Sequence, residues 1–321
     1  MPKYIIRRVF TSIPIILGVL TVTFFVINLT PGDPLAMYVN PEISPGIREI
    51  MAERFGLNDP LPIRYFKWIK NFLTGDFGHS YSHNRPVKDV LFDAVPHTLL
   101  LSSTSLLLSI ITGIAIGVVS ALKKYTIYDH LVTVLSFFIY AMPSFWLALM
   151  LIIIFSLKLR LLPASNVRSI DADTLTLLPY LWNRVQHAIL PVFVLAIGNA
   201  ASKGRYMRSS LLEVIRQDYI RTARSKGLPE FLVIWKHAMR NALIPIVTIA
   251  GLSIPFLLSG SLIVEVIFAW PGMGQVIINS IFNRDYPLVM ATTFISAVMV
   301  IFGNLVADVF YSVLDPRIRF D

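Results

Sequence analysis

An all-α, polytopic membrane protein with six transmembrane helices is predicted by three observations. Six uncharged runs approach or exceed the ~20 residues that a helix needs to cross the hydrocarbon core. Apolar residues make up 55% of the 321-residue chain and charged residues only 15%, where a soluble domain carries roughly 25% charged residues. The Lys and Arg residues gather in short stretches at the ends of those runs, as membrane spans arrange them on the cytoplasmic side.

The first run is Val9–Gly32, so residues 1–32 read as a tail and first transmembrane helix. The opening MPKYIIRRVF starts like a secretory signal. Its apolar stretch outlasts a signal core and no A-x-A site follows, so the span is expected to be retained. Residues 33–97 form a long extracytoplasmic loop with helical content. Ser44-Pro45 is a helix start, a capping hydroxyl followed by proline at the first helical position. Ile47, Ile50 and Met51 make an apolar stripe, and Gly56 stops it. A second helix, Pro62–Leu73, sets Arg64, Lys67 and Lys70 on one face and aromatic residues around the rest. That pattern suits a helix lying at the membrane interface, and equally a small cap packed on the spans.

Residues 98–321 form a five-helix core. The second run, Thr98–Leu122, repeats small residues every four positions at Gly113, Gly117 and Ala121, which lets another helix approach closely. The third is Leu131–Leu157, the fourth Val185–Ser202, the fifth Asn241–Val264 and the sixth Tyr286–Ala307. Leu175–Leu181 and Val266–Asn283 are partly apolar and suit the interface. Pro143 in the third run and Pro255, with Gly251 and Gly260, in the fifth interrupt the helical ladder. Such breaks survive at membrane depth only where protein or a cavity satisfies the freed carbonyls. They are either plain kinks or the border of a substrate path.

Charge orients the bundle. Lys3, Arg7 and Arg8 precede the first run, and Lys123 and Lys124 separate the second and third. Nine Lys and Arg residues lie between Lys203 and Arg240, and Arg317 and Arg319 follow the sixth run. The remaining basic residues are spread over long loops, which translocate regardless of charge. Both termini are therefore expected in the cytoplasm, with the chain in the cell membrane. The compact basic stretch, about residues 208–240, is expected to dock a cytoplasmic partner.

Several function classes drop out. The net charge of +9 flanks apolar runs rather than one nucleic-acid-reading face. There is no Cys, hence no disulfide and no thiolate chemistry. There is no phosphate loop of the form G-x-x-x-x-G-K-S/T, no HExxH and no GxSxG. His79 and His83 stand four apart, but Gly75, Gly78 and Pro86 mark a loop there rather than a metal-binding helix. No catalytic, cofactor-binding or metal-ligating residues are expected. Glu265 and Asp308 sit near the ends of spans, and neither a proton relay nor an Arg series lies inside them. Energy for transport is expected from another subunit. An ion-coupled secondary carrier is the different-class alternative and would need an intramembrane ionisable site. A receptor or structural membrane protein is a third, disfavoured by the broken spans.

Short motifs recur in a specific order. They are TPGDP at Thr30–Pro34, GLNDPLPIRY at Gly56–Tyr65, GDFGHSY at Gly75–Tyr81 and DYIRTARSKGL at Asp218–Leu228. HAMRNALIPIVT at His237–Thr248, IVEVIFAWPGMG at Ile263–Gly274, RDYPLV at Arg284–Val289 and LDPRIR at Leu314–Arg319 complete the set. In this order the chain resembles, over nearly its whole length, the permease subunits of ABC importers of the dipeptide/oligopeptide/nickel type. The resemblance implies an ATPase-docking element at Asp218, Tyr219, Arg221, Thr222, Ala223, Arg224, Lys226 and Gly227. Gly227 and Ala223 match the usual E-A-A, three residues, Gly pattern. Arg221 and Thr222 replace its Glu and first Ala, and His237 and Arg240 replace a later Ile and Pro, as in the peptide-type branch. A short helix ending at Gly227 would seat in a partner's groove, with Arg221, Arg224 and Lys226 pairing charges and Tyr219 as aromatic anchor.

The resemblance also implies a second, homologous permease, two cytoplasmic ATPase subunits that hold ATP and Mg, and an extracytoplasmic substrate-binding protein. This chain itself would hold no cofactor. Pro143, Ser144, Ser253, Ser259 and Ser261 are expected to border the translocation path. Di- or oligopeptides are the expected cargo, with nickel chelates or oligosaccharides as the alternatives on the same machinery.

Overall fold

The computed structural model describes residues 2–29, 58–257 and 261–314. The expected helix start at Ser44-Pro45, the Thr30–Pro34 motif, Ser259 and most of the Leu314–Arg319 motif lie outside the described residues. Among the described residues all regular structure is helical. Helix α1 (Pro2–Leu29) is followed by α2 (Leu61–Leu73), α3 (Val87–Leu122), α4 (Ile127–Ala141) and α5 (Ser144–Leu151), which runs on into a π-helical turn, Ile152–Lys158. Then come a 3-10 turn (Ala172–Thr174), α6 (Leu177–Val214), α7 (Asp218–Ser225), α8 (Glu230–Leu232), a second π-helical turn (Val233–Ala238), α9 (Met239–Ala242) and α10 (Ile244–Ser253). A 3-10 turn (Ile254–Leu257), α11 (Leu262–Ile267), α12 (Met273–Phe282) and α13 (Tyr286–Leu314) complete the order.

Four helices are long and apolar enough to cross a membrane: 10–29 within α1, α3, α6 and 286–306 within α13. The α4–α5 pair qualifies together, bent by 103°. Met142 is extended and Pro143 caps α5, because a residue before proline is pushed out of the helical region. The expected fifth span is divided. Pro245 opens α10, and the chain then tightens into the 3-10 turn that contains Pro255. The second and fourth expected spans are longer than their uncharged runs. α3 starts at Val87, so residues 87–97, expected at the end of the loop, are continuous in one helix with the second run. α6 runs on to Val214, so Lys203 and Arg205, expected just past the fourth span, and Arg208, at the start of the expected docking loop, lie in a helix.

The small-residue face of α3 is where α6 packs. A Cβ on Gly117 would stand 2.5 Å from the Gly204 carbonyl and 2.5 Å from Met207 Cβ, so only glycine permits this approach. α2 is a cap against the C-terminal half of α1. Tyr65 Oη pairs with Thr21 Oγ1 at 2.8 Å, Arg64 donates to Asn28 Oδ1, and Phe24 stacks on Trp68. Its other face leaves Ile63, Phe66 and Leu73 exposed.

Two buried carboxylates join distant motifs at this end. Asp285 Oδ2 accepts from Ser80 Oγ (2.5 Å), Ser82 Oγ (2.8 Å) and Ser82 N (2.9 Å), while Oδ1 accepts from Leu288 N at the start of α13. Glu265 accepts from Thr98 Oγ1 (3.0 Å) on α3, from Ser261 N, and from Gly274 N (2.7 Å) and Gln275 N at the start of α12. Each carboxylate satisfies free amides of a helix N-terminus, where negative charge is favoured.

Candidate functional site

The basic stretch folds back on the C-terminal ends of α3 and α6. α7 carries Asp218 in its first turn and Arg224 in its last, each favourable to the helix dipole. Gly227 follows at φ +74°, the left-handed conformation that ends a helix without penalty only at glycine. A Cβ there would meet nothing within 4 Å in this chain, so the glycine is required here by conformation and not by internal crowding. Ile220 and Ala223 are buried in a core shared with Val118 and Ala121 of α3, Met207 and Leu211 of α6, and Val233 and Ala238 of the second π-helical turn. The opposite face of α7, with Tyr219, Arg221, Thr222, Arg224 and Lys226, is exposed.

These exposed groups are not equivalent. Arg224 is engaged by Glu230, with Nη2 to Oε1 at 2.6 Å and Nε to Oε2 at 3.1 Å. The hydrogen bonds from Arg224 hold the Glu230 carboxyl below its ordinary range. Asn241 donates to Tyr219 Oη at 2.7 Å, fixing the ring beside the start of α10. Arg221 and Lys226 make no ion pair among the described residues and stand open to a partner.

Behind this face lies a clamp that sequence reasoning missed. Arg208 grips Asp129 in a two-pronged ion pair, both contacts at 2.7 Å. Ser120 Oγ and Tyr125 N also donate to that carboxylate, so the α3–α4 turn and α6 are held as one body. Both partners were visible in the sequence, but 79 residues separate them and no spacing rule connects them.

The expected path residues that the structure describes lie at three places, the α4–α5 bend, the end of α10 and the residue before α11. Ser144 is the first residue of α5 and, like Pro143, is exposed at the bend. Ser261 precedes α11, and α5 packs on α11 through Ala148, Leu151, Val264 and Phe268. Ser253 closes α10, its hydroxyl donating to the Ile249 carbonyl. Among the described residues there is no group of three or more His, Asp or Glu side chains able to hold a metal.

Residues 113–320 match the family described as the binding-protein-dependent transport system inner membrane component, and residues 1–102 match its N-terminal membrane component. The chain belongs to this family. The inner-membrane component is a multi-pass permease subunit and not an enzyme. Membership implies assembly with ATPase subunits, which carry the hydrolysis, and with substrate-binding subunits. The ion-coupled alternative falls with that membership. Relatives of this inner-membrane component align end to end. One is the oligopeptide transport system permease protein AppB of Bacillus subtilis (strain 168), 44% identical over 100% of both chains. Another is the dipeptide transport system permease protein DppB of Alkalihalophilus pseudofirmus, 37% identical over 100% of both. A third is the glutathione transport system permease protein GsiC of Escherichia coli (strain K12), 36% identical over 100% of both. Among solved structures, the inward-facing MetNI methionine ABC transporter superposes with a TM-score of 0.54 at 17% identity, over 70% of this chain and 96% of that one. At that identity the likeness speaks for the fold alone.

Proposed function

We propose that this inner-membrane component forms, with a second homologous permease, the translocation path of an ATP-driven importer of di- or oligopeptides delivered by an external binding protein. One observation carries the reading. The buried face of α7 is part of the same core as the inner ends of α3 and α6, while its outer face is free for a partner. A push on α7 would therefore be transmitted to the spans. One of two ATPase subunits would seat on Asp218, Tyr219, Arg221, Thr222, Arg224, Lys226 and Gly227, while Ala223, expected in the same docking element, is buried and backs that face from the core; the two ATPase subunits would hold the ATP and Mg that this chain does not. Peptide cargo is supported by the names of the end-to-end relatives. Nickel chelates or oligosaccharides would use the same machinery, because the external binding protein selects the cargo.

In this reading both termini, the Lys123–Lys124 turn and residues 208–240 face the cytoplasm, and residues 33–97 face outward. Pro143, Ser144, Ser253, Ser259 and Ser261 border the path. The test is reversal of charge at the open cation, Arg221→Glu, with Arg224→Glu as its internally paired control. Co-purification of the ATPase subunits is expected to fall for Arg221→Glu in a salt-dependent way, with insertion of the permease unchanged. Undiminished ATPase recruitment by Arg221→Glu would remove the docking assignment. Thiol labelling of Ser225→Cys and not of Ser82→Cys by an impermeant reagent in intact cells would reverse the topology.

A further inference from the structure

Helix α2 lies alongside membrane-length segments and not beyond their ends. Tyr65 Oη meets Thr21 Oγ1 at 2.8 Å, and the Trp68 ring stacks on Phe24 with 5.3 Å between centroids. Thr21 and Phe24 precede Leu29, where the 10–29 span ends, by two turns and by one and a half. At ~1.5 Å per residue the contact is roughly 7–12 Å inside that span. Phe72 meets Phe294 edge-on at 4.8 Å, and Phe294 is as far inside the 286–306 span. Two spans thus hold α2 at a depth where lipid surrounds the bundle. Its free edge is apolar. At ~100° per residue, Ile63, Phe66, Lys70 and Leu73 fall within an arc of roughly 80°. All four are exposed, Phe66 to 68% and Leu73 to 71%. This edge prolongs the exposed stripe of α1, Val22, Phe25, Val26 and Leu29. Phe25 stacks on Tyr65 at 5.7 Å, and Tyr65 meets Phe66 edge-on at 5.6 Å, so the two surfaces run into each other. Further round α2, Lys67 and Asn71 line a polar cleft with Asp59, Asp76 and His79.

We propose that this edge of α2 is immersed in one leaflet of the bilayer, with Ile63, Phe66 and Leu73 below the headgroups and the Lys70 ammonium reaching back to their phosphates. α2 is then both a cap on α1 and an interfacial helix, the two readings its pattern of apolar and basic residues allowed. Continuity selects the occupant. The lipid that covers the Val22 stripe of a membrane span also reaches Phe66, because Phe25 and Tyr65 join the two surfaces. Water in that place would wet apolar side chains beside hydrocarbon, at a cost of about 25 cal/mol per Å2. A partner protein is disfavoured by Lys70, which makes no ion pair among the described residues. A protein packed on this edge would bury that ammonium and would have to bring a carboxylate to it. In a bilayer the aliphatic stem stays among acyl chains while the ammonium snorkels to a phosphate. Every phospholipid carries that phosphate, so no particular headgroup is selected. None of these residues lies on α7, so the proposal stands apart from the cargo and from the ATPase-docking assignment.

The full chain has no Cys of its own, so Phe66→Cys and Leu73→Cys can each carry one spin label. Both positions are exposed, and the label displaces no core. Val22→Cys on α1 and Asn71→Cys on the polar edge serve as references. Each labelled chain is reconstituted in phosphatidylcholine–phosphatidylglycerol vesicles. Electron paramagnetic resonance then reads collisions with oxygen, which concentrates in hydrocarbon, and with a nickel chelate, which stays in water. The labels at Phe66 and Leu73 are expected to match the label at Val22, with frequent oxygen and rare chelate collisions. The ratio should place them ~5–10 Å below the phosphates. The label at Asn71 is expected to show the reverse. Frequent chelate collisions at Phe66 and Leu73 would put the edge in water and overturn the proposal. Rare collisions with both reagents, in the full chain or in the assembled importer, would show that protein covers the edge and overturn it equally.

Discussion

At one end of the bundle, Asp285 and Glu265 are fully buried and are held by amides and hydroxyls, with no Lys or Arg among the described residues paired to either; at the other end, the buried Asp129 is gripped by an arginine. The same chemical problem, a carboxylate out of water, has two solutions. Helix N-termini supply partial positive charge without adding a side-chain cation. An arginine supplies a whole one, and the end that uses it also carries the exposed Arg221 and Lys226 of the α7 face. The contrast separates a scaffold end, whose amide and hydroxyl donors fix how α3, α11, α12 and α13 meet, from an end where an ion pair locks the α3–α4 turn to α6 and the cations of the α7 face stand exposed.

The comparison breaks most sharply at Glu265. Glu265→Gln keeps the shape but turns an NH2 toward amide and hydroxyl donors, and Gly272→Ala would push a Cβ to 2.5 Å from Glu265 Oε2. Each is expected to cost about 3 kcal/mol or more, read as a lower unfolding temperature of the detergent-purified chain. Unchanged unfolding in Glu265→Gln would show that the amides do not need the carboxylate. Next comes Arg208→Met, which leaves Asp129 buried with Ser120 and Tyr125 as its donors. Because Arg208 is 26% exposed in its side chain, the expected loss is about 2 kcal/mol, below that of a fully buried pair. A loss larger than that of Glu265→Gln would invert the contrast drawn here.

Gly227→Ala tests the docking helix more gently. At φ +74° an alanine costs about 1 kcal/mol, and nothing in the chain obstructs its Cβ. ATPase recruitment should weaken slightly in Gly227→Ala and collapse in Gly227→Trp. Equal loss in both would make the backbone conformation, rather than room for the partner, the decisive property. The smallest effect is at Glu230. Its carboxyl is depressed by Arg224, so the pair stabilises the loop above the ordinary carboxylate value of 4.5 and the gain is lost as pH falls through the lower folded value. Both side chains are largely exposed, so the difference between wild type and Glu230→Gln should be a few tenths of a kcal/mol at neutral pH and vanish in acid. A growing difference on acidification would contradict the sign.

Much of the bundle was legible because its determinants are local. Uncharged runs mark α1, α3, α6 and α13, Pro143 marks the bend, and Gly113 and Gly117 mark the face on which α6 lies. The helix at Asp218–Ser225 is marked by its acid-first, base-last order and by Gly227. The limits of α3 and α6 were less legible, since a helix inside a protein does not stop where its apolar run stops. Lys203 illustrates the reason: as a cation it reads as loop, yet it is 2% exposed and packs against α3 at Gly113. Its long apolar stem is what the seam buries.

Periodicity, flanking charge and turn residues by themselves determined that this chain is a membrane-spanning helical bundle with a short basic helix ahead of Gly227. They act within a few residues, where the chain's own geometry sets which neighbours meet. Tertiary structure alone decided which polar side chains are partners: Ser80 with Asp285, Thr98 with Glu265, and Asp129 with Arg208. Those pairs are 205, 167 and 79 residues apart. Each buried carboxylate must find donors wherever packing brings them, and no local pattern encodes a meeting that only the closed bundle creates.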